Sequence, residues 1–238
     1  MKKAIVIGAS SGIGKGIAEI LIKQGYTVGI TGRRIRNLEE IHADHPEQVY
    51  IRSFDCTKDN NFIELSQLTD DLGGLDLLVL SSGIGYLNKN LETEKERKTI
   101  DLNVLAFTEI ATWAMQIFES QGYGHFVAIS SIAGLRAGWI APAYGASKSY
   151  QIRYLEALRQ RANKLGLPID ITDLRPGFVK TEMAKGEGRF WEASVDKAAK
   201  QCVRHIKAKR DVAYVTKRWR FIAYLLMWMP NWIYKRIA

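Results

Sequence analysis

Short apolar runs alternate along the chain with longer segments in which apolar positions recur every three to four residues. Segments 4–7, 27–31, 49–52, 75–80, 126–130 and 169–174 have the length and apolar content of buried strands. Segments 13–23, 34–43, 60–70, 99–119 and 143–164 carry the helical period. Residues 211–215 read as a last strand, and Gly73-Gly74 as a helix-to-strand connection. Buried strands that alternate with helices predict an α/β fold, a doubly wound parallel sheet with helices on both faces. No repeat, low-complexity stretch or linker divides the chain. One domain over 1–238 is expected, with 178–210 as a loop and helix over the substrate and 217–238 as an extra C-terminal helical tail.

The chain's 238 residues suffice for one well-buried core. Met1-Lys2-Lys3 and the apolar residues after it imitate a secretory leader. Gly8-Ala9-Ser10-Ser11-Gly12 ends that run after four residues, too early for one. Cys56 and Cys202 form neither a disulfide framework nor a metal-ligand spacing, and the four histidines (His42, His45, His125, His205) show no helical pair flanking an acid. No metal is expected, His42 and His45 read as solvated turn residues, and a cytoplasmic location follows from the thiols. The net charge of +9 lies wholly in the last fifty residues: 1–188 hold 22 basic and 22 acidic side chains, 189–238 hold 12 and 3. That asymmetry points to a localised anionic contact.

Gly8, Gly12 and Gly14 lie in a turn between a strand and a helix. Glycines there admit a close pyrophosphate, and the helix N-terminus offers free N–H groups to it. Their spacing, Gly-x-x-x-Gly-x-Gly, differs from the ordinary dinucleotide fingerprint. Farther on, Tyr144 and Lys148 share a helix face, about 5–6 Å between Cβ atoms. A phenol titrates near 10, and a neighbouring ammonium draws it toward neutrality, which makes the pair a general acid/base for an alcohol or carbonyl. Alone, the pair would equally be an exposed aromatic beside a solvated lysine. Ser131 precedes Tyr144 by thirteen residues.

Together these residues resemble the short-chain dehydrogenase/reductase family from Ala4 to about Thr181. Gly8, Gly12 and Gly14 match its glycine motif. Asn103, Ser131, Tyr144 and Lys148 match its catalytic set, and Pro176-Gly177-Phe178-Val179-Lys180-Thr181 matches its proline-glycine motif. The resemblance implies a Rossmann-like fold and hydride transfer with a nicotinamide cofactor. Tyr144 would exchange the proton with the substrate oxygen. Lys148 would lower the tyrosine pKa and hold the nicotinamide ribose. Ser131 would polarise the carbonyl oxygen, and Asn103 would anchor a water that connects Lys148 to solvent. Cofactor contacts are implied at Gly8, Ser10, Ser11, Gly12, Ile13 and Gly14, then at Arg33, Asp55, Cys56, Ser82 and Gly83. Tyr144, Lys148, Pro176, Gly177, Val179 and Thr181 complete the set. One departure concerns Leu80-Ser81-Ser82-Gly83, where the family usually has an asparagine-rich segment. A local effect on stability is expected there, without change of reaction.

Cofactor choice is read after the second strand, where an acid would accept from the ribose of NAD. The chain has Gly32-Arg33-Arg34 instead, with no carboxylate before Glu39. Arg33 suits a 2′-phosphate in bidentate geometry, so NADP is expected over NAD. Asp55 is either an adenine contact or a solvated turn residue. Phe190 and Trp191 on one rim, with Trp139 and Ile140 opposite, predict a hydrophobic carbonyl or alcohol as the small-molecule substrate.

Residues 221–234 run fourteen positions without a charge, broken by Pro230 and flanked by basic residues; residues 217–238 hold three of the six tryptophans, at 219, 228 and 232. The run is too short to span a bilayer. It suits peripheral contact with the inner face of a membrane, or packing against a subunit or the chain's own body. Packing is favoured, because buried tryptophans are binding hot spots. The tail resembles the hydrophobic C-terminal helices of steroid-reducing members of the family. A homodimer or homotetramer is expected and no nucleic acid. The rival function is a non-catalytic NADP sensor or scaffold acting through the tail, and loss of a catalytic residue would mark it.

Overall fold

The computed structural model describes residues 1–136, 138–182 and 191–237. Its seven strands form one parallel sheet in the order β3-β2-β1-β4-β5-β6-β7. Strands β1 (Lys3–Ile7), β2 (Thr27–Thr31) and β3 (Val49–Arg52) build outward on one side. The chain then crosses back to β4 (Leu77–Leu80), and β5 (Gly124–Ile129), β6 (Ile169–Pro176) and β7 (Val212–Val215) build outward on the other. Strand order therefore reverses between β1 and β4, and a crevice opens at their carboxyl ends.

Alternate residues of β1 serve two cores. Ala4 and Val6 pack with α1 (Gly12–Lys23), α2 (Ile35–Asp44) and α7 (Val195–Lys207) through Ile17, Leu38 and Cys202. Ile5 and Ile7 pack on the other face with α3 (Asn61–Leu72), α5 (Phe107–Gln121) and α6 (Pro142–Leu165) through Leu68, Phe118 and Leu155. Burial on both faces is why the strands read as continuous apolar runs.

The differences from the expected boundaries have local causes. Strand β4 begins two residues late, because the Asp76 carboxylate accepts a hydrogen bond from Lys3 N at 2.7 Å and turns the chain. Strand β5 begins early: His125 is buried and its ring pairs with the Thr172 hydroxyl at 2.8 Å. Strand β6 runs on through Arg175, a buried charge held by Asp173 at 2.6 Å. The helix expected at 99–119 starts at α4 (Thr93–Ile100), passes through a π-helical stretch (Asp101–Ala106) and continues as α5. His42 is not simply solvated, since its Nδ1 lies 2.7 Å from the Val49 carbonyl. Pro230 divides the tail into α8 (Trp219–Trp228) and α9 (Asn231–Ile237).

Candidate active site

The crevice between β1 and β4 is lined by main chain. Gly8 follows β1 with φ 84°, and a Cβ there would lie 2.7 Å from Ser82 N. A Cβ on Gly14 would overlap the Gly8 carbonyl and come 2.9 Å from Ser81 Oγ. A Cβ on Gly12, whose φ is 59°, would lie 3.4 Å from the Thr181 methyl. The glycine turn, the Ser81–Gly83 segment and the Pro176–Thr181 segment are thus brought together, with the N-terminus of α1 opening onto them. A cradle that side chains would fill, at the positive end of a helix, fits a dinucleotide pyrophosphate. Ile13 and Val179 fix its floor by packing into the first core.

Beyond β2 the arginines divide their work. Arg33 stands 3.9 Å from the Asp55 carboxylate. Arg34 reaches over the glycine turn, donating to the Ser10 hydroxyl at 3.3–3.4 Å and to the Ser11 hydroxyl, and pairing with Glu182 at 2.6 Å. The sequence argument chose Arg33; the guanidinium on the turn is that of Arg34. Burial tends to raise the Asp55 carboxyl, but hydrogen bonds from Thr57 N and Oγ1, helped by Arg33, hold it below its usual value. Burial pushes the Cys56 thiol beside it up to about 11, so it is protonated at neutral pH.

Asn103, Ser131, Tyr144 and Lys148 meet at the carboxyl ends of β4 and β5. Ser131 follows β5 and accepts from Ala133 N at 3.1 Å, and its hydroxyl draws the Tyr144 phenol's pKa down. Tyr144 packs against Gly85, where a Cβ would lie 2.7 Å from its ring. Asn103 sits in the π-helical stretch, where one extra residue per turn lets its amide face inward. That amide accepts from Ile84 N at 2.9 Å and donates to Ile84 O at 2.8 Å and to Ser147 Oγ at 3.0 Å. Helix α4 braces the start of α6, the Glu96 carboxylate accepting from Ala143 N at 2.9 Å.

The electrostatics depart from the expectation in one respect. Burial raises the Tyr144 phenol and the Ser131 hydroxyl only lowers it in part, so the net shift is upward. Lys148 Nζ, 5.9 Å from the Tyr144 ring centre, donates instead to Ile129 O and to Gln151 Oε1, both at 2.9 Å. Burial lowers the ammonium to about 8, against a raising influence from Asp173. Gln151 is fully buried, and its Nε2 donates to Asn103 O at 2.9 Å. A fixed amide therefore links Lys148 to the Asn103 main chain.

Two further residues tie the tail to this site. Arg136, in the turn after Ser131, donates to Leu226 O at 2.9 Å, to Asn231 Oδ1 at 2.7 Å and to Met229 O, and stacks on Tyr234. Trp219, buried, lies so close to Gly177 that a Cβ there would fall within the indole, and it meets Phe178 and Trp191 edge-on. Trp139, on the expected substrate rim, is exposed with Lys89 over its ring, and Ile140 O accepts from Asn88 N at 2.6 Å. Phe190 lies outside the described residues.

Residues 2–190 match the short chain dehydrogenase family. The chain belongs to that family. It is an oxidoreductase of the CH–OH/C=O class working with a nicotinamide cofactor. An uncharacterized oxidoreductase of Myxococcus xanthus is 33% identical over 189 residues, covering 76% of this chain and 74% of that protein. Farnesol dehydrogenase of Aedes aegypti is 31% identical over 193 residues, 76% and 79% of the two chains. Among solved structures, a 3-ketoacyl-(acyl-carrier-protein) reductase from Brucella melitensis complexed with NADH superposes with TM-score 0.81 at 21% identity, covering 90% of this chain and 96% of that one. An alcohol dehydrogenase from Thermococcus sibiricus complexed with 5-hydroxy-NADP gives 0.79 at 23%, with the same coverage. At these identities the structural likeness speaks for the short-chain dehydrogenase fold alone.

Proposed function

We propose that the chain forms one catalytic domain that uses NADP to reduce an apolar carbonyl compound, or to oxidise the matching secondary alcohol, with Tyr144 as general acid/base. The observation that carries this reading is Tyr144 standing between the Ser131 hydroxyl, which draws its pKa down, and the buried Lys148, whose Nζ lies 5.9 Å from its ring centre, at the edge of the glycine cradle. The bound cofactor supplies the hydride or takes it up. Burial keeps the Tyr144 phenol protonated at neutral pH, the state needed to give a proton to the oxygen of a carbonyl being reduced. Ser131 orients that oxygen, and the Lys148 charge stabilises the phenolate left behind.

Arg33 and Arg34, with no acid between Thr31 and Glu39, support NADP. Exposed Trp139 and Trp191 favour an apolar substrate, as does the farnesol dehydrogenase relative. Exposed Ile100 and Leu105 on one long helical run suit a homodimer or homotetramer contact, and the free, buried Cys56 and Cys202 suit a reducing cytoplasm. Tyr144→Phe tests the reading. Turnover of a panel of ketones and aldehydes should fall by roughly 100-fold or more, while NADPH affinity measured by fluorescence stays within about twofold. A variant that turns over at the parent rate overturns the acid/base role.

A further inference from the structure

Helix α8 is apolar on two sides. Trp219 and Ala223, one turn apart, are buried against the body. Phe221, Leu225 and Trp228, spaced as a second stripe of the same helix, are 79%, 57% and 84% exposed. Trp232 of α9 adds another face at 63% exposure. A helix that is apolar on two sides, with one side already packed, needs a cover on the other.

The charges around this face indicate what the cover is. Lys217, Arg218 and Arg220 precede it, Lys235 and Arg236 follow it, all five are exposed, and no acid occurs between 212 and 238. A second copy of the chain would bring the same five cations against five more, since a twofold contact repeats its own surface. An anionic bilayer offers the complement: phosphates for the cations, and an interfacial layer that takes tryptophan and phenylalanine side chains. Neither α8 nor α9 is long enough to cross, and no described helix of the chain is both long and apolar enough.

We propose that the exposed stripe of α8 and α9 docks the enzyme on the surface of an anionic lipid bilayer. Trp219 on Gly177 and Arg136 on the α8–α9 joint fasten this surface to the two segments that frame the candidate active site. The cleft is thereby held close to the membrane, and its substrate class becomes alcohols or carbonyls that partition into lipid.

The full chain is centrifuged with vesicles of phosphatidylcholine alone and of phosphatidylcholine with phosphatidylglycerol, at low and high salt. A combined Phe221→Ser, Trp228→Ser, Trp232→Ser variant and a Lys217→Gln, Arg220→Gln, Lys235→Gln variant run alongside. The parent should sediment with the anionic vesicles and be released by salt. Each cation removed should weaken partitioning about fivefold, and the serine variant should lose at least about a hundredfold at an unchanged melting temperature. The proposal is overturned by a parent that stays in solution with anionic vesicles at low salt, or by a serine variant that binds as well as the parent. It is equally overturned by a serine variant that melts lower, which places the stripe on the body, or that turns a dimer into a monomer, which places it on a second copy. Vesicle binding is read without cofactor or substrate, so its failure leaves the assigned reaction untouched.

Discussion

Replacing Gln151 by leucine tests how the Lys148 charge is held. The ammonium is buried and already lowered to about 8, with Ile129 O and Gln151 Oε1 as its hydrogen-bond acceptors. Leucine fills most of the space, removes one acceptor and leaves Asn103 O without its donor. A hydrogen bond to a charged group contributes about 1.5–3 kcal/mol, and about 1.4 kcal/mol corresponds to a tenfold change in protonation. The Lys148 pKa should therefore drop to about 6–7. At pH about 7.5 its charged fraction falls from roughly three-quarters to between one-fifth and a few per cent. A lysine that works charged gives a rate that is lost as pH rises through its pKa. The alkaline limb of kcat/KM should thus move toward acid, with a loss of roughly 4- to 30-fold near pH 7.5 that shrinks to about threefold or less near pH 6. Gln151→Glu should move the limb the other way, since a carboxylate favours the ammonium. The assay is a pH–rate profile for NADPH oxidation with carbonyl substrate held well below KM, paired with melting temperature. A loss equal at every pH, or a lowered melting temperature with an unmoved profile, would refute the reasoning and make Gln151 a packing residue.

Arg34→Ala should raise KM for NADPH at least about tenfold more than KM for NADH, because a guanidinium–phosphate contact contributes roughly 1.5–3 kcal/mol; equal changes would remove Arg34 as the 2′-phosphate ligand. Gly177→Ala places a methyl group within the Trp219 indole, so a destabilisation of about 1–3 kcal/mol and a shift in tryptophan emission are expected in thermal melts. Burial lowers His125 from 6.5 to about 4. Between those values the unfolded chain binds a proton that the folded one excludes, so the contribution is present above pH 6.5 and is lost as pH falls toward 4, up to about 3 kcal/mol. His125→Gln should flatten that slope in denaturant titrations, and a parent with no slope over this range would contradict it.

Where the candidate site depends on neighbours in sequence, the chain was legible. Tyr144 and Lys148 lie one helical turn apart, and the glycine turn is read within seven residues of the end of β1. Where it depends on what lies opposite, reading stopped. Gln151 looks like any polar helix residue until the Asn103 carbonyl faces it from another helix. Arg136 finds its acceptors some ninety residues away, and only the path of the main chain after β2 puts Arg34 over the glycine turn and Arg33 beside Asp55. The first turns of α4, Thr-Glu-Lys-Glu-Arg-Lys, carry no apolar period at all; Glu96 anchors them by hydrogen bonds to Asn88 and Ala143. The tail was half read. Trp219 packs as the favoured reading expected, while Trp228 and Trp232 face outward.

The grip of Arg136 on the tail has a consequence for how this segment can change over time. Two of its acceptors, Leu226 O and Met229 O, belong to the main chain and are the same whatever side chains those positions carry. Only Asn231 is recognised by its side chain. The outward-facing residues of α8 are therefore free to be exchanged as a surface encountered outside changes, while the attachment to the turn after Ser131 persists. Descendants of this chain can vary what they touch and keep where they touch it from.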